Sequence, residues 1–275
     1  MFHSYQDKVV LITGGTKGIG LHTGFAFAKQ GAQCVLTYKW ERSKAELASL
    51  SDAFLSRGYR APLLVQSDVT QEEDIANLLD QVLLTCGDRV EVFVSNVSFA
   101  TLTRSLDDYS ERSLFKSIEY SVWPMVAFIR AIKQVFGHYP RYVLGMSSNG
   151  PDAYHVNYDF VAASKALLET MVRYLNYRFR DEEITINVVR ARCVKTESLW
   201  ATCGKAFEAF GERYNIADIF VEASEVADAI LALCSGLMDG ISGQIVNIDK
   251  GSTFADNIMS YYEQRDTLGM QGELP

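Results

Sequence analysis

The sequence predicts an α/β protein built on a single doubly wound, seven-stranded parallel sheet with helices on both faces. Apolar, β-branched runs alternate along the chain with longer segments whose apolar residues recur at helical spacing. The runs are nearly continuous, which is typical of parallel strands covered on both faces. Strand–helix–strand alternation implies right-handed crossovers, and these place the strands in one sheet.

The first strand, turn and helix carry the clearest pattern. An apolar run at 9–12 ends in a glycine-rich turn at 13–20, and Leu21 and Phe25 begin an amphipathic segment. Closely spaced glycines at a helix N-terminus leave backbone N–H groups that can bind a pyrophosphate. The spacing Gly-x-x-x-Gly-x-Gly differs from the strict Gly-x-Gly-x-x-Gly dinucleotide fingerprint. The turn predicts a phosphate site, and a glycine-rich connection with no ligand is the alternative.

The other elements follow in chain order. We predict strands at 32–38, 61–66, 90–95, 141–147, 184–190 and 244–248. We predict helices at 41–57, 71–86, 107–136, 158–180 and 223–235. Pro124 lies inside the segment 107–136, so a kink or break near Val122 is expected. Residues 197–222 are less regular, and we expect a substrate loop there within one domain of residues 1–275.

Helical spacing is most regular in the second and third helices. The second has Leu47, Leu50 and Phe54 on one face, and Gly58 ends it. The third repeats apolar residues at positions 75, 78, 79, 82 and 83. Each helix therefore has one face to bury against the sheet.

Composition restricts the class of protein. The chain has 275 residues, of which 48% are apolar, enough for one large core without a second domain. The net charge of −8 disfavours binding to nucleic acid or to an anionic membrane. No apolar run approaches the roughly 18 residues that a bilayer span needs, and the first strand begins too early to leave room for a signal peptide. We expect a soluble, cytoplasmic protein.

Cysteines and histidines indicate neither a disulfide framework nor a metal site. The five cysteines are scattered and form no Cys-x-x-Cys pair, which suits a reducing compartment. The four histidines show no metal-ligand spacing. We therefore expect no metal.

Ligands of such sheets bind beyond the carboxyl ends of the strands. The residues predicted to lie there are 13–20, 38–42, 68–69, 95–98, 147–148 and 190–196. Tyr158 and Lys165 open the helix after the fifth strand. Seven residues apart, they are separated by roughly 10 Å along a helix axis, so Tyr158 must lie at or before the helix start to share a site with Lys165. Asn157 or Asp159 is expected to cap the helix there.

Seven motifs in one order make the chain resemble the short-chain dehydrogenase/reductase family over nearly its whole length. They are Thr13-Gly14-x3-Gly18-x-Gly20, Asp68-Val69, Ser95-Asn96-Val97-Ser98, Ser148, Lys165, Thr196 and Gly243-Gln244-x4-Asp249-x-Gly251. The resemblance implies a Rossmann fold and hydride transfer with a nicotinamide cofactor.

The catalytic tyrosine departs from the pattern usual in that family. Tyr-x-x-x-Lys would place it at position 161, which is Val161. Tyr158 instead forms Tyr-x6-Lys with Lys165, a spacing that resembles the divergent enoyl-acyl-carrier-protein reductase branch. In that branch the tyrosine supports hydride delivery to a carbon–carbon double bond conjugated with a thioester. Tyr154 is the alternative tyrosine.

The resemblance implies roles for three catalytic residues. Tyr158 donates a hydrogen bond or proton to the developing oxyanion, Lys165 lowers the pKa of that tyrosine and binds the nicotinamide ribose, and Ser148 holds the carbonyl oxygen. The implied cofactor-binding residues are Gly14, Thr16, Lys17, Gly18, Ile19, Gly20, Lys39, Arg42, Asp68, Val69, Asn96, Lys165, Val194 and Thr196.

The end of the second strand favours NADPH over NADH. NAD-dependent members place an acid there to bind the ribose hydroxyls. Here no acid occurs before Glu41, whereas Lys17, Lys39 and Arg42 offer cations for a 2′-phosphate. The alternative is that Glu41 binds the ribose and the cations are solvated.

Two further positions depart from the family. Its asparagine in the fourth helix corresponds to Ser121 or, with one gap, to Tyr120. Its Pro-Gly after the sixth strand is Ala191-Arg192. There Arg192 would approach the nicotinamide or the mouth of the substrate pocket, where it can bind a carboxylate or a carrier phosphate, or else face solvent.

Three functions remain open. The first is an NADPH-dependent enoyl reductase of acyl thioesters in fatty-acid or polyketide-type biosynthesis, with an acyl carrier protein or coenzyme A as carrier. The second is a carbonyl reductase of a β-keto thioester or another ketone. The third is a catalytically silent dinucleotide-binding protein, which Val161, the missing asparagine and Val97-Ser98 favour.

A homodimer or homotetramer is expected, because the fold usually leaves the helices at 107–136 and 158–180 with an apolar outer face. Candidate contact residues are Ala127, Ala131, Leu167, Leu168 and Met171. Candidate residues of the substrate pocket are Trp200, Phe207, Phe210 and Tyr214, with a packed amphipathic helix as the alternative.

Overall fold

A computed structural model describes residues 4–204, 206–213, 219–254 and 259. Seven parallel strands form one sheet in the order β3-β2-β1-β4-β5-β6-β7. The strands are β1 (Val9–Ile12), β2 (Gln33–Tyr38), β3 (Leu63–Gln66), β4 (Val90–Ser95), β5 (Tyr142–Ser147), β6 (Thr185–Ala191) and β7 (Ile245–Ile248). This confirms the predicted doubly wound sheet. Strand order reverses between β1 and β4, which opens a crevice at the carboxyl ends of the strands.

Helices cover both faces of this sheet. They are α1 (Gly18–Lys29), α2 (Lys44–Leu55), α3 (Glu72–Thr85), α4 (Glu111–Ser121), α5 (Trp123–Phe136), α6 (Asp159–Arg178), α7 (Glu197–Cys203), α8 (Ala206–Arg213) and α9 (Ala223–Leu233). Short 3-10 turns occur at Leu106–Asp108 and Ser252–Phe254.

The two faces of the sheet bury separate hydrophobic clusters. In β1, Val10 and Ile12 belong to one cluster, and Val9 and Leu11 belong to the other, as the two-residue period of a strand requires. The first cluster includes side chains from α1, α2 and α9, and the second includes side chains from α3, α5 and α6. Burial on both faces is the physical reason for the continuous apolar runs in the sequence.

The predicted break near Val122 is confirmed. Here α4 ends at Ser121 and α5 begins at Trp123, with Pro124 in the first turn of α5. A proline is tolerated there because the first-turn N–H groups have no helical partner. The predicted start at 107 is wrong, because Ser110 caps α4 by accepting a hydrogen bond from the Ser113 N–H.

Two other predicted bounds need correction. Helix α2 begins at Lys44 rather than 41, because Ser43 and Glu46 form a capping box in which each side chain accepts from the other's backbone N–H. The segment 197–222 was expected to be irregular, but its described part contains α7 and α8. The remaining predicted elements lie within about two residues of the observed bounds.

Leu168 is wrong as a candidate contact residue. It is 1% exposed and belongs to the second cluster, on the inward stripe of α6 with Val161 and Val172. Ala127, Ala131 and Met171 are partly buried against the same cluster. Large apolar side chains exposed on α4, α5 and α6 are Phe115, Trp123, Leu167, Tyr174 and Tyr177.

Three further findings hold for the part of the chain that the structure describes. No helix in it combines the length and the hydropathy that a bilayer crossing requires. No group of three or more His, Cys, Asp or Glu side chains in it could hold a metal ion. The five cysteines lie in this part and are free thiols.

Candidate active site

A cavity of about 1410 Å³ lies along the carboxyl ends of the central strands. Its lining includes most of the site residues predicted from the sequence, namely Gly14, Thr16, Lys17, Gly18, Ile19, Lys39, Arg42, Asp68, Val69, Asn96, Ser148, Tyr158, Lys165, Val194 and Thr196. Gly20 lies behind the wall, where it packs against the glycine turn. The predicted residues therefore lie together in one cavity, as expected for residues at the carboxyl ends of parallel strands.

The glycine turn forms one wall by close backbone packing. Gly14 and Gly18 have φ angles of 63° and 54°, a region that favours glycine. A Cβ on Gly20 would lie 2.5 Å from the Gly14 carbonyl oxygen and 3.0 Å from the Gly15 Cα. No described side chain caps α1, whose N-cap is Lys17. The first-turn N–H groups are thus available to an anion, and the cradle fits the pyrophosphate of a dinucleotide.

Asn96 at the end of β4 holds the glycine turn in place. Its Nδ2 donates to the carbonyl oxygens of Thr13 at 3.0 Å and Gly14 at 3.1 Å. Its backbone N–H donates to Thr13 Oγ1 at 3.0 Å. The amide of Asn96 is therefore engaged in shaping the turn.

The far end of the cavity contains an ion pair between Lys39 and Asp68. Lys39 Nζ lies 2.7 Å from Asp68 Oδ2 and also hydrogen-bonds the Tyr120 hydroxyl. Desolvation raises the pKa of Asp68, but hydrogen bonds from Lys39 and Thr70 outweigh it and hold the pKa below its ordinary value. The Tyr120 hydroxyl also donates to Asp68 Oδ2 at 3.4 Å, so Tyr120 belongs to this ion-pair cluster.

The three predicted phosphate-binding cations have different surroundings. Arg42 is half-buried, and its Nη2 donates to Thr16 Oγ1 of the glycine turn at 3.1 Å. Lys17 Nζ instead lies 2.9 Å from a carboxylate oxygen of Glu197 in α7, and both side chains are mostly exposed. Arg42 therefore stands beside the glycine turn, while Lys17 is paired with α7.

Tyr158 occupies the N-cap of α6 and faces the cavity, as the spacing required. Its hydroxyl hydrogen-bonds Ser148, and Tyr154 in contrast is 83% exposed. Burial raises the pKa of Tyr158, and the bond to Ser148 offsets only part of this. This direction is opposite to the lowering expected from Lys165, so the hydroxyl stays protonated and can donate.

The predicted caps of α6 are wrong. Among the described side chains none caps the helix at Tyr158. The carboxylate of Asp159 instead accepts hydrogen bonds from the hydroxyls of Thr103 and Tyr109, the latter at 2.6 Å. Asp159 therefore ties the start of α6 to the segment that follows β4.

Lys165 is buried against β5, with 4% of its surface exposed. Its Nζ donates to the Met146 carbonyl oxygen at 2.9 Å. Burial lowers the pKa of Lys165 to about 8, and the carboxylate of Glu169 opposes this. Val161, where the usual tyrosine would stand, is buried and lines the cavity. Tyr158 and Lys165 thus reach one cavity despite the long spacing.

Ser121 is also in a defined position. Its Oγ accepts from the Phe99 N–H at 3.2 Å and lies 3.1 Å from Ser98 Oγ. Ser121 therefore holds the loop after β4.

Two polar residues of the site, Asn149 and His155, belong to no motif that the sequence analysis recognised. Asn149 is buried beside Ser148, and its Oδ1 lies 2.8 Å from His155 Nε2. The His155 ring lies edge-on to the Tyr158 ring, with 5.6 Å between centroids. Burial and the neighbouring Arg192 lower the pKa of His155, which favours a neutral imidazole.

The outer wall of the cavity is mainly apolar and comes from the region of α7 and α8. Leu199, Trp200, Phe207 and Ile219 line it, whereas Phe210 is 46% exposed and is not part of the lining. Tyr214 lies outside the described residues. Arg192 also lines the cavity, and its Nη1 donates to Ser252 Oγ at 3.1 Å. The cavity thus combines a glycine turn that can bind an anion, the hydroxyl of Tyr158, the ammonium of Lys165, and an apolar wall.

Comparisons of the sequence with known proteins identify a family. A family model described as enoyl-(acyl carrier protein) reductase matches residues 14–253. The enoyl-[acyl-carrier-protein] reductase [NADH] of Aquifex aeolicus is 26% identical over 90% of this chain and 91% of its own length. The 1-cyclohexenylcarbonyl-CoA reductase of Streptomyces collinus is 29% identical over 70% of this chain and 67% of its own length.

A solved structure has the same fold. It is a short-chain dehydrogenase from Burkholderia cenocepacia in complex with NADP, with a TM-score of 0.78 and 22% identity. The match covers 91% of this chain and 100% of that one.

Proposed function

The chain belongs to the enoyl-(acyl carrier protein) reductase family of short-chain dehydrogenases/reductases, and from that premise we propose that it reduces an α,β-unsaturated acyl thioester with NADPH. An oxidoreductase with a nicotinamide dinucleotide follows from the family. The choice of NADPH, the unsaturated bond and the named site residues are our proposal.

The position of Tyr158 is the observation that favours a carbon–carbon double bond as the group reduced. Tyr158, seven residues before Lys165, reaches the same cavity as that lysine because it stands at the N-cap of α6. Val161 fills the position from which a tyrosine of the commoner spacing would act. The displaced tyrosine is the feature that the sequence shares with the enoyl reductase branch.

Tyr158, Ser148 and Lys165 would each have a separate role in the proposed reduction. The bound cofactor supplies a hydride for an electron-poor carbon. The Tyr158 hydroxyl donates to the thioester carbonyl oxygen, where negative charge develops during the reaction. Ser148 orients that hydroxyl through their hydrogen bond. Lys165 provides a buried cation and binds the nicotinamide ribose.

A second group of cavity residues would hold the dinucleotide. The first turn of α1 would bind the pyrophosphate, and Asp68 and Val69, which also line the cavity, would contact the adenosine part. Val194 and Thr196 also line the cavity and would contact the nicotinamide part. Leu199, Trp200, Phe207 and Ile219 supply the apolar wall against which an acyl chain would pack.

Arg42 supports NADPH, although the relative from Aquifex aeolicus is named for NADH. The guanidinium is held beside the glycine turn by Thr16, where it can pair with a 2′-phosphate. We expect Arg42→Gln to raise the Kd for NADPH by roughly 10- to 100-fold, because a charge-assisted hydrogen bond is lost. The Kd for NADH is expected to change by less than about threefold. Fluorescence titration of the bound nicotinamide measures both constants.

Lys44→Gln is the matched control for this cofactor experiment. Lys44 is exposed at the start of α2 and is not among the residues that line the cavity. Its substitution should leave both constants unchanged. Equal weakening of NADPH and NADH by Arg42→Gln would contradict the assignment.

The proposed reaction is tested by following NADPH absorbance with crotonyl-coenzyme A and acetoacetyl-coenzyme A. Faster turnover of the unsaturated thioester supports the enoyl reductase. Faster turnover of the keto thioester would replace it with the carbonyl reductase. Tight NADPH binding without turnover of either thioester would favour the silent protein.

Self-association is part of the same proposal. Phe115, Trp123, Leu167, Tyr174 and Tyr177 are exposed on α4, α5 and α6. Burying such side chains between copies removes apolar surface from water. We propose a homodimer or homotetramer packed through these helices.

A further inference from the structure

A cluster of charged and polar side chains lies next to the candidate active site, and two of its members, Ser147 and Asp152, line the cavity. Glu169 and Arg190 keep only 5% and 10% of their side-chain surface exposed. Glu169 stands one helical turn after Lys165 in α6, and Arg190 lies near the end of β6. We call Glu169, Arg190, Ser147 and Asp152 the clasp.

The clasp is joined by four hydrogen-bonding contacts. Arg190 binds Glu169 through two of them, from Nε to Oε1 at 3.0 Å and from Nη2 to Oε2 at 2.6 Å. Ser147 Oγ donates to Glu169 Oε1 at 2.6 Å. Arg190 Nη1 binds the carboxylate of Asp152, which is the more exposed member. The planar guanidinium thus uses all of its nitrogen atoms on two carboxylates.

Each partner of Arg190 in the clasp belongs to a chain segment that also carries a candidate catalytic residue. Ser147 precedes Ser148, and it pairs in register with Arg190 in the neighbouring strand. Glu169 shares α6 with Lys165. Asp152 lies in the β5–α6 loop, which ends at Tyr158. One guanidinium is therefore connected to β5, to α6 and to the loop between them.

A need for stability alone does not account for such a cluster. Replacing a buried ion pair with apolar residues of similar volume is often neutral or stabilising, because desolvation of the charges is costly. Directional bonds from a rigid fork do, however, fix the relative positions of the groups they join. The arrangement therefore points to a requirement for geometry at the neighbouring site.

We propose that Arg190 is a positioning residue: through Glu169, Ser147 and Asp152 it holds Ser148, Tyr158 and Lys165 in their working arrangement. The effect on catalysis rests on the proposed reductase function. The effect on the β5–α6 loop does not, because the contacts to Asp152 and Ser147 order that loop in the protein without substrate.

The test replaces both charges at once, as Glu169→Met/Arg190→Met. A single Arg190→Met would leave a buried carboxylate without its partner and could fail to fold. The double variant should melt at or above the temperature of the wild type. Its kcat is expected to fall by roughly 10- to 100-fold, because displacements of about 1 Å cost that much. The KM for NADPH should change by less than about threefold.

Hydrogen exchange followed by mass spectrometry provides a readout that needs no turnover. We expect faster exchange in peptides covering 148–158 of the double variant, and unchanged exchange in peptides of α3. The single variant Arg190→Lys keeps the positive charge but loses the planar guanidinium. Its kcat should lie between that of the double variant and that of the wild type. Arg173→Met is the control, because Arg173 is exposed on α6 near the clasp.

The outcomes separate the two proposals. Wild-type kcat and wild-type exchange in the folded double variant would overturn the positioning role. If the wild type reduces neither thioester, the proposed function fails, and the exchange of 148–158 alone decides on the clasp. Faster exchange would then support it, and unchanged exchange would overturn it.

Discussion

Replacing Lys165 with methionine is expected to reduce kcat/KM by at least about 10²-fold while leaving the protein folded. The side chain is buried, and its charge is held by the Met146 carbonyl oxygen and opposed by desolvation. Methionine fills a similar volume without an ammonium to desolvate, so the melting temperature should not fall. Loss of the cation removes the group proposed to bind the nicotinamide ribose. Turnover assays measure kcat/KM, NADPH fluorescence measures the affinity for the cofactor, and thermal melting measures the stability of the fold.

Lys29→Met is the matched control for this variant. Lys29 is exposed in the last turn of α1, away from the cavity lining, and its loss should change neither turnover nor cofactor affinity. A Lys165→Met protein with turnover within threefold of the wild type would contradict the assignment.

The lowered pKa of Lys165 also predicts a pH dependence. Burial places this pKa at about 8, below the ordinary 10.5. The required cation is lost as the pH rises through about 8, so wild-type kcat/KM should decline there. The folding stability contributed by this group changes in the opposite sense. It rises between about pH 8 and pH 10.5, where the unfolded chain holds the proton and the folded chain does not.

Replacing Tyr158 with phenylalanine is the second expected large effect. The change removes the hydroxyl that donates to the developing oxyanion and retains the ring that packs against Gly150. We expect kcat to fall by roughly 10²- to 10⁴-fold with little change in the Kd for NADPH. Because burial raises the pKa of this hydroxyl, the wild-type donor should stay protonated throughout the neutral range.

Tyr154→Phe provides the comparison, since it makes the same chemical change at an exposed position four residues earlier. It should retain turnover within about threefold of the wild type. Loss of activity in Tyr154→Phe together with retention in Tyr158→Phe would exchange the roles of the two tyrosines.

The sheet and the glycine turn could be predicted because both depend on local patterns. Burial on two faces leaves continuous apolar runs, and a close backbone approach requires glycine at Gly20. The position of Tyr158 at the helix start followed from the rise per residue of a helix. Each of these constraints acts within a few residues of the chain.

Contacts between distant segments could not be predicted in this way. Asp159 was expected to cap α6, but its partners Thr103 and Tyr109 are 56 and 50 residues away. Arg190 and Glu169 are 21 residues apart in different elements. Lys17 and Arg42 were equivalent as cations, and only the fold decides that one pairs with Glu197 and the other binds Thr16. Helices α7 and α8 lack an apolar repeat long enough to be distinguished from a loop.

The strand order reverses between β1 and β4, so residues before β4 and residues after it line different parts of the cavity. Lys39, Arg42 and Asp68 lie in the stretch before β4, whereas Ser148 and Lys165 come after it. The residues that we propose to select the cofactor and those that we propose to select the bond therefore lie in two separate stretches of the chain. On the proposed assignments, a chimera joined to a relative near β4 should change one of these two preferences without the other.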